Sequence, residues 1–371
     1  MTDKGKLRFG IAGMTSDHVW GMGDGLVSLP EVELVAAAEP YVELRQQGAK
    51  RWGFERTYAD AEAMLEREEL DAIMVCGDSA SKAPIAEAAA RRGVHVYQDK
   101  PMAATLEQAD RILRAVESSG ITLMVAYHTA FGGNYGQLRD LVKGAIGKVF
   151  LARGVHGHGG PKEFGCSEYF CEWLFDRSKN GGGCFVDEAC YVLDTFLDYV
   201  GPVAEVSAFT TQMGHRDYLP PDVEDNSVAI LRFENGALGV IDAKWGQVGP
   251  APLRTSYHGD RGMLAIGPNG TDLYSTASPT VPEGWSPVEI KARPGPGGGS
   301  TPAGLLGWRA PEVPFGGYRG GAEQRYFVSR VLERRPIEGP VSPRFARQVQ
   351  EVIEAVYRSA ESGRAMRLPL V

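Results

Sequence analysis

Phe9-Gly10-Ile11-Ala12-Gly13-Met14-Thr15-Ser16-Asp17-His18 runs from an apolar, strand-like segment through a glycine into residues that read as the start of a helix. A strand that turns into a helix at Gly13 aims the positive helix N-terminus past the strand end, which is how a chain receives a pyrophosphate. The usual fingerprint for that turn is G-x-G-x-x-G. Here only its first glycine, Gly13, is present, with Thr15 and His18 in the other two places. Gly13, Thr15, Ser16 and His18 are the candidate phosphate-side residues, although Asp17 brings a negative charge near where the anion would lie.

Outward from this turn, short apolar runs alternate with amphipathic stretches. Strands are expected at Leu7–Ala12, Glu33–Ala38, Asp71–Cys76, Val94–Tyr97 and Thr122–Ala126, and helices at Asp60–Glu68, Ala83–Arg92 and Thr105–Ser118. That alternation predicts an α/β fold with a doubly wound parallel sheet, whose ligands sit at the carboxyl ends of the strands. From Lys148 onward the runs become longer and richer in Val, Phe and Thr, with one helical segment from about Gly183 to Val200. A mixed or antiparallel sheet with a helix packed on it fits that pattern. The stretch 279–321 is dense in Gly and Pro and reads as a long surface loop. Helices are expected at Gly321–Glu333 and Pro343–Ser362, and the tail Met366–Leu370 as a returning strand that packs back on the first domain. The expected division is 1–127 and 128–371.

At 371 residues the chain exceeds the size at which one hydrophobic core keeps growing, so two domains are the natural expectation. A net charge of −8 without a Lys/Arg run argues against a nucleic-acid partner. No window approaches the roughly 18 apolar residues of a membrane span, and the polar start Met1 to Lys6 does not resemble a secretory signal, so a cytoplasmic protein is expected. Five cysteines, an odd number in a chain this long, read as reduced thiols.

The second strand ends in Ala38-Glu39-Pro40. An acid in that place accepts hydrogen bonds from the adenosine ribose and repels a 2′-phosphate, so Glu39 favours NAD over NADP.

Gln98-Asp99-Lys100-Pro101, directly after the fourth strand, resembles the E-K-P motif of the glucose-fructose oxidoreductase, inositol dehydrogenase and rhizopine catabolism protein family, Gfo/Idh/MocA. Trp173-Leu174-Phe175-Asp176-Arg177, Gly181-Gly182-Gly183-Cys184-Phe185-Val186-Asp187, Tyr191 and Asp194 resemble its W…GGG-x-L-x-D-x-G-x-H-x-x-D, with Tyr191 in place of the histidine. The resemblance implies a Rossmann domain followed by a mixed α/β domain with a large open, predominantly antiparallel sheet that often mediates dimers or tetramers. It implies an NAD-dependent oxidoreductase acting on a sugar, sugar derivative or cyclitol, with Lys100 catalytic and Asp99, Lys100 and Pro101 beside the cofactor.

Oxidising a secondary alcohol removes a hydride and a proton, so the site needs a nicotinamide and a base. Asp187, Tyr191 and Asp194 lie at i, i+4 and i+7, on one face of a helix that starts at the glycine triplet, opposite the apolar stripe Phe185, Val192, Phe196 and Tyr199. A phenol near its usual pKa of ~10 is a poor base, and a neighbouring lysine cation favours the phenolate, so Lys100 and Tyr191 are expected to work as a pair with Asp187. His128, His156, His158, Trp173 and Asp194 are the candidate substrate-binding residues. His156 and His158 fall on the same side of a strand. With Cys166 or Cys171 they match no standard zinc spacing, so no metal is expected. Two other uses of the fold stay open: an NAD-dependent glycosidase with an internal redox cycle, and a non-catalytic nucleotide sensor. The latter draws on the two lost fingerprint glycines, the lost motif histidine and Lys82 in the third-strand loop, where the family usually carries a histidine.

Overall fold

The computed structural model describes residues 5–131, 135–213, 217–249, 251, 254–276, 283–289, 293–294, 300–301 and 321–370. They form two compact units, each with its own sheet.

The first unit contains β1 (Leu7–Ala12), α1 (His18–Val27), β2 (Val32–Ala38), α2 (Val42–Trp52), β3 (Arg56–Tyr58), α3 (Ala61–Arg67), β4 (Ala72–Val75), α4 (Lys82–Arg91), β5 (His95–Asp99), α5 (Leu106–Ser119) and β6 (Leu123–Ala126). All six strands pair in parallel in the order β3-β2-β1-β4-β5-β6. The strand order reverses between β1 and β4, so the crevice past their carboxyl ends is the topological switch point where such sheets bind ligands. The strands are continuous apolar runs because helices cover both faces: Phe9, Ile11, Ile73, Met74, Val96 and Val125 are all buried. Asp60 and Thr105 cap α3 and α5 by accepting the Ala63 and Gln108 amides.

Two segments distant in sequence join this unit: Cys166–Gly181, and a stretch ending at Arg347 of which 321–347 are described. After residue 127 the chain thus returns to the first unit twice. The helix Ala322–Glu333 packs in this unit through Phe327, which stacks on Tyr97 at 5.5 Å, and Glu323 accepts the Tyr97 hydroxyl at 2.8 Å. Local apolar patterning does not specify which sheet such a helix covers.

The second unit is built on β7 (Val149–Gly157), β8 (Val203–Thr211), β9 (Asn226–Phe233), β10 (Leu238–Lys244), β11 (Thr255–Gly259), β12 (Gly262–Gly267), β13 (Gly270–Ser275) and β14 (Gly284–Pro287). With the terminal pair Met366–Arg367 they make an open nine-stranded sheet, antiparallel except where β7 lies parallel to β10. The helix Cys190–Tyr199 covers one face. Gly154 on β7 permits this approach, since a Cβ there would fall 2.3 Å from Val192 Cγ1. Phe196 completes the contact against Phe233 and Tyr257.

Three expectations are corrected. The tail pairs with Val206 and Glu205 of β8, in the second unit and not the first, because β8 offers it an open sheet edge. Gly284–Pro287, inside the stretch read as a loop, extends the sheet as β14; most of the rest of 279–320 lies outside the described residues. The helix after the glycine triplet begins as a π-turn, Phe185–Ala189, before it becomes α-helical. A wider turn at Asp187 breaks the 3.6-residue spacing, so Asp187 is out of α-helical register with Tyr191 and Asp194.

Candidate active site

In the first unit the strand ends converge on the switch point. Gly13 adopts φ +79°, and a Cβ on it would fall 2.8 Å from the backbone of Gly77, so only glycine closes this turn. Glu39, at the end of β2, is buried. Its Oε2 accepts the Met14 amide at 2.6 Å and its Oε1 the Tyr41 amide at 3.1 Å, while burial pushes the carboxyl upward. Gly13, Thr15, Glu39, Tyr41, Gly77, Asp78 and Trp173 line part of a cavity of about 710 Å³, within the usual size for a small-molecule or cofactor site. An acid at the second strand end, a glycine cradle and an opening of this size fit a bound NAD.

Trp173 was expected against a sugar. It instead belongs to the first unit, buried at the wall of this cavity, because the short helix Glu168–Leu174 returns there. Asp17 is accounted for in the same way: its carboxylate accepts the Ser167 amide at 2.7 Å, at the cap of that helix, and so does not stand free before a phosphate.

The β5 end forms a buried polar knot. Asp99 accepts from Ser16 Oγ at 2.8 Å and faces His18 Nδ1 at 3.0 Å, and it accepts the Lys100 amide at 2.9 Å. Burial would raise its carboxyl, but His18, Lys82 and Lys100 outweigh that and hold it far below the usual carboxylate range. Ser16 is fully buried with its hydroxyl committed to Asp99, so of the phosphate-side candidates Gly13 and Thr15 are the ones that line the cavity. Lys82 is fully buried too. Its Nζ donates to the carbonyls of Lys100, at 3.0 Å, and Pro101, at 2.9 Å. The lysine in the histidine place therefore fixes the backbone of the Lys-Pro motif.

In the second unit the glycine triplet is held by Glu224, a residue the motif comparison passed over. Its carboxylate accepts the Gly183 amide at 2.8 Å, the Phe185 amide at 2.9 Å and the Tyr357 hydroxyl at 2.8 Å. A Cβ on Gly182 would fall 2.0 Å from the Tyr357 hydroxyl, and one on Gly183 2.0 Å from the Glu224 carbonyl. This clamp presents Asp187, whose Oδ2 accepts from Trp245 Nε1 at 3.2 Å.

His156 and His158 lie on one side of β7 and its extension and converge on Glu188. The Tyr191 ring sits 5.1 Å from that of His156. Asp194 is corrected as a substrate ligand: it is 0 % exposed and accepts from Thr129 Oγ1 at 2.8 Å, with burial raising its carboxyl well above the ordinary range. The Phe185, Val192, Phe196 and Tyr199 stripe is buried as well, so this helix is covered nearly all round. His128 opens a short 3₁₀ turn, His128–Phe131, and is half-buried.

A nucleotide crevice at the switch point of a parallel sheet, together with a cluster of acid–base side chains on a mixed sheet, defines an NAD-binding oxidoreductase of two compact units. The chain belongs to the Gfo/Idh/MocA family. Residues 7–127 match the oxidoreductase family's NAD-binding Rossmann fold, and 135–265 match the GFO/IDH/MocA C-terminal domain. It is 28% identical to levoglucosan dehydrogenase of Pseudarthrobacter phenanthrenivorans over 58% of this chain and 59% of that protein. It is 24% identical to myo-inositol 2-dehydrogenase of Thermotoga maritima over 65% of this chain and 70% of that protein. In fold it is similar to a solved levoglucosan dehydrogenase in complex with NADH and levoglucosan, with a TM-score of 0.81 and 22% identity over 98% of this chain and 100% of that one.

Proposed function

We propose that this protein is an NAD-dependent dehydrogenase that interconverts a secondary hydroxyl and a ketone on a sugar, sugar derivative or cyclitol. The observation that carries the reading is the convergence of proton-exchanging groups in the second unit: Glu188 joins His156 and His158, the Tyr191 ring lies 5.1 Å from that of His156, and the carboxylate of Asp187 lies within 4.8 Å of the facing atoms of His158 and Glu188. Bound NAD⁺ supplies the two-electron acceptor. Gly13, Thr15 and Glu39 hold the nucleotide, with Asp99, Lys100 and Pro101 at the cofactor. Lys100 and Tyr191 handle the substrate hydroxyl, Asp187 binds a neighbouring hydroxyl, and His128 takes part in the sugar pocket.

Glu39 supports NAD over NADP, since a buried carboxylate repels a 2′-phosphate. The exposed apolar side chains Phe209, Val228, Ile230 and Leu238 on neighbouring strands β8 to β10 support a homodimer or homotetramer formed through the sheet. Five cysteines without a disulfide support a cytoplasmic setting, and no helix among the described residues is long and apolar enough to cross a membrane.

The test is a thermal-shift titration with NAD⁺ and NADP⁺, followed by a screen of neutral sugars, sugar acids and inositols for NADH formation. A shift with NAD⁺ and net NADH from one substrate class is the expected result. Cleavage of a glycoside without net NADH points to the internal-redox chemistry, and NAD⁺ binding without turnover of any kind points to a sensor.

A further inference from the structure

Glu188 stands between Asp187 and Tyr191 and is 3 % exposed. Each of its oxygens is used by one imidazole: Oε2 faces His156 Nδ1 at 2.5 Å and Oε1 faces His158 Nε2 at 2.7 Å. Burial alone would raise this carboxyl, but the contacts from His156 and His158 outweigh it and hold it well below the ordinary range, so Glu188 is a carboxylate. A carboxylate only accepts, which makes both facing ring nitrogens donors.

The second nitrogen of each ring then decides what the cluster does. His158 Nδ1 accepts the Gly160 amide at 3.0 Å, so that ring is neutral with its proton on Nε2, and it is further fixed by stacking on Phe164 at 4.9 Å. His158, Asp187 and Glu188 place their ligand atoms within 4.8 Å of one another, close enough for a cation. A metal on His158 Nε2 would put the ring proton on Nδ1, against the Gly160 N–H. The tautomer therefore favours a proton network over a metal centre. His156 gives its Nδ1–H to Glu188, and its Nε2 lone pair has no hydrogen-bond partner among the described residues, on a side chain 42% exposed. A histidine oriented through Nδ1–H by a buried carboxylate, with Nε2 open, is arranged to accept a proton.

We infer that His156, aimed by Glu188, is the terminal acceptor of the proton that leaves the substrate hydroxyl through Tyr191, and that Glu188 is a positioning residue acting through His156. The assignment rests on the dehydrogenase reading above. A phenol alone is a poor acceptor at neutral pH, and an imidazole, with an ordinary pKa of about 6.5, is matched to the task. In the oxidative direction the substrate O–H breaks as the tyrosyl O–H re-forms, and the tyrosyl proton bonds to Nε2. The carbon's hydrogen leaves with its electron pair to NAD⁺, which becomes NADH, and C=O forms. The imidazolium is neutralised by the Glu188 carboxylate.

The test has one arm that needs no substrate. Long-range ¹H–¹⁵N spectra of the full chain, assigned with H156N and H158N, should show His156 protonated on Nδ1 and His158 on Nε2 at neutral pH, with no change on adding Zn²⁺ or EDTA. His156 protonated on Nε2, or both rings shifting with micromolar Zn²⁺, overturns the inference. In the second arm, on a substrate found in the screen, E188Q and H156N should each lower kcat about 100-fold with KM changed by less than about threefold, and the double variant should fall no further. Unchanged kcat in both variants overturns the proton step and leaves the dehydrogenase intact. Absence of turnover by the native protein overturns the dehydrogenase reading, and this step with it, whatever the tautomers.

Discussion

Replacing Lys82 by methionine should change how stability depends on pH more than it changes stability at neutrality. The ammonium is 0 % exposed, and burial, the main cause, pulls its pKa down to about 8, against partial compensation by Asp99. In the unfolded chain the same group titrates near 10.4. Below about pH 8 both states carry the proton and the native state bears the full desolvation penalty. Between about pH 8 and 10.4 the unfolded state holds the proton and the native state does not, so unfolding takes up a proton and stability rises with pH. At about 1.36 kcal/mol per pKa unit, that difference amounts to roughly 3 kcal/mol. Methionine removes this dependence, and it also removes two hydrogen bonds from an ammonium to the Lys100 and Pro101 carbonyls, worth roughly 1.5–3 kcal/mol each. The two effects oppose each other near neutrality, where the net change is small. Urea unfolding of native and K82M protein at pH 7, 8, 9 and 10 reads the result directly: the native protein should gain about 2–3 kcal/mol over the variant across that span. A stability difference that stays flat refutes the buried-ammonium account.

The remaining tests address other joints of the two units. Gly183→Ala should cost more than about 3 kcal/mol, since its Cβ meets the Glu224 backbone at 2.0 Å; Gly165→Ala, strained at φ +92° with nothing within 4 Å, should cost less, and paired melting curves decide it. Glu39→Gln should weaken NAD⁺ roughly tenfold or more and narrow the preference over NADP⁺, read by calorimetric titration. Asp99 has its pKa depressed in the fold, so its stabilisation is present at neutral pH and lost as pH falls below about 4; the stability gap between native protein and Asp99→Asn should close in that range in acid unfolding curves. Tyr191→Phe should lower kcat about 100-fold or more with little effect on NAD⁺ affinity, measured by steady-state kinetics beside cofactor titration.

Much of the first unit was legible because parallel strands covered on both faces leave unbroken apolar runs. Leu7–Ala12 is found at the residues expected, and the other strands and the helices Ala61–Arg67, Lys82–Arg91 and Leu106–Ser119 start or stop within one or two residues. Strand β3, Arg56–Tyr58, went unread: an edge strand of two exposed residues and one half-buried one carries no apolar pattern. The motifs also singled out Lys100, Asp187, Tyr191 and Glu39 as candidates, since each sits at a fixed offset from a glycine or strand end.

Partnership across distance was not written in any local pattern. The sequence by itself determined the doubly wound order, the switch point at Gly13 and the helix that follows the glycine triplet, all consequences of short-range periodicity and of turns that admit only glycine. Tertiary structure alone decided that Trp173 lines the cavity of the first unit, that Asp194 is buried against Thr129, and that Glu224 holds the triplet from 41 residues away. It alone placed Glu188 between His156 and His158, 32 residues of chain from the former. A buried polar atom takes whichever partner the packed chain brings within about 3 Å, and a one-residue change in helical winding is enough to change which side chains those are.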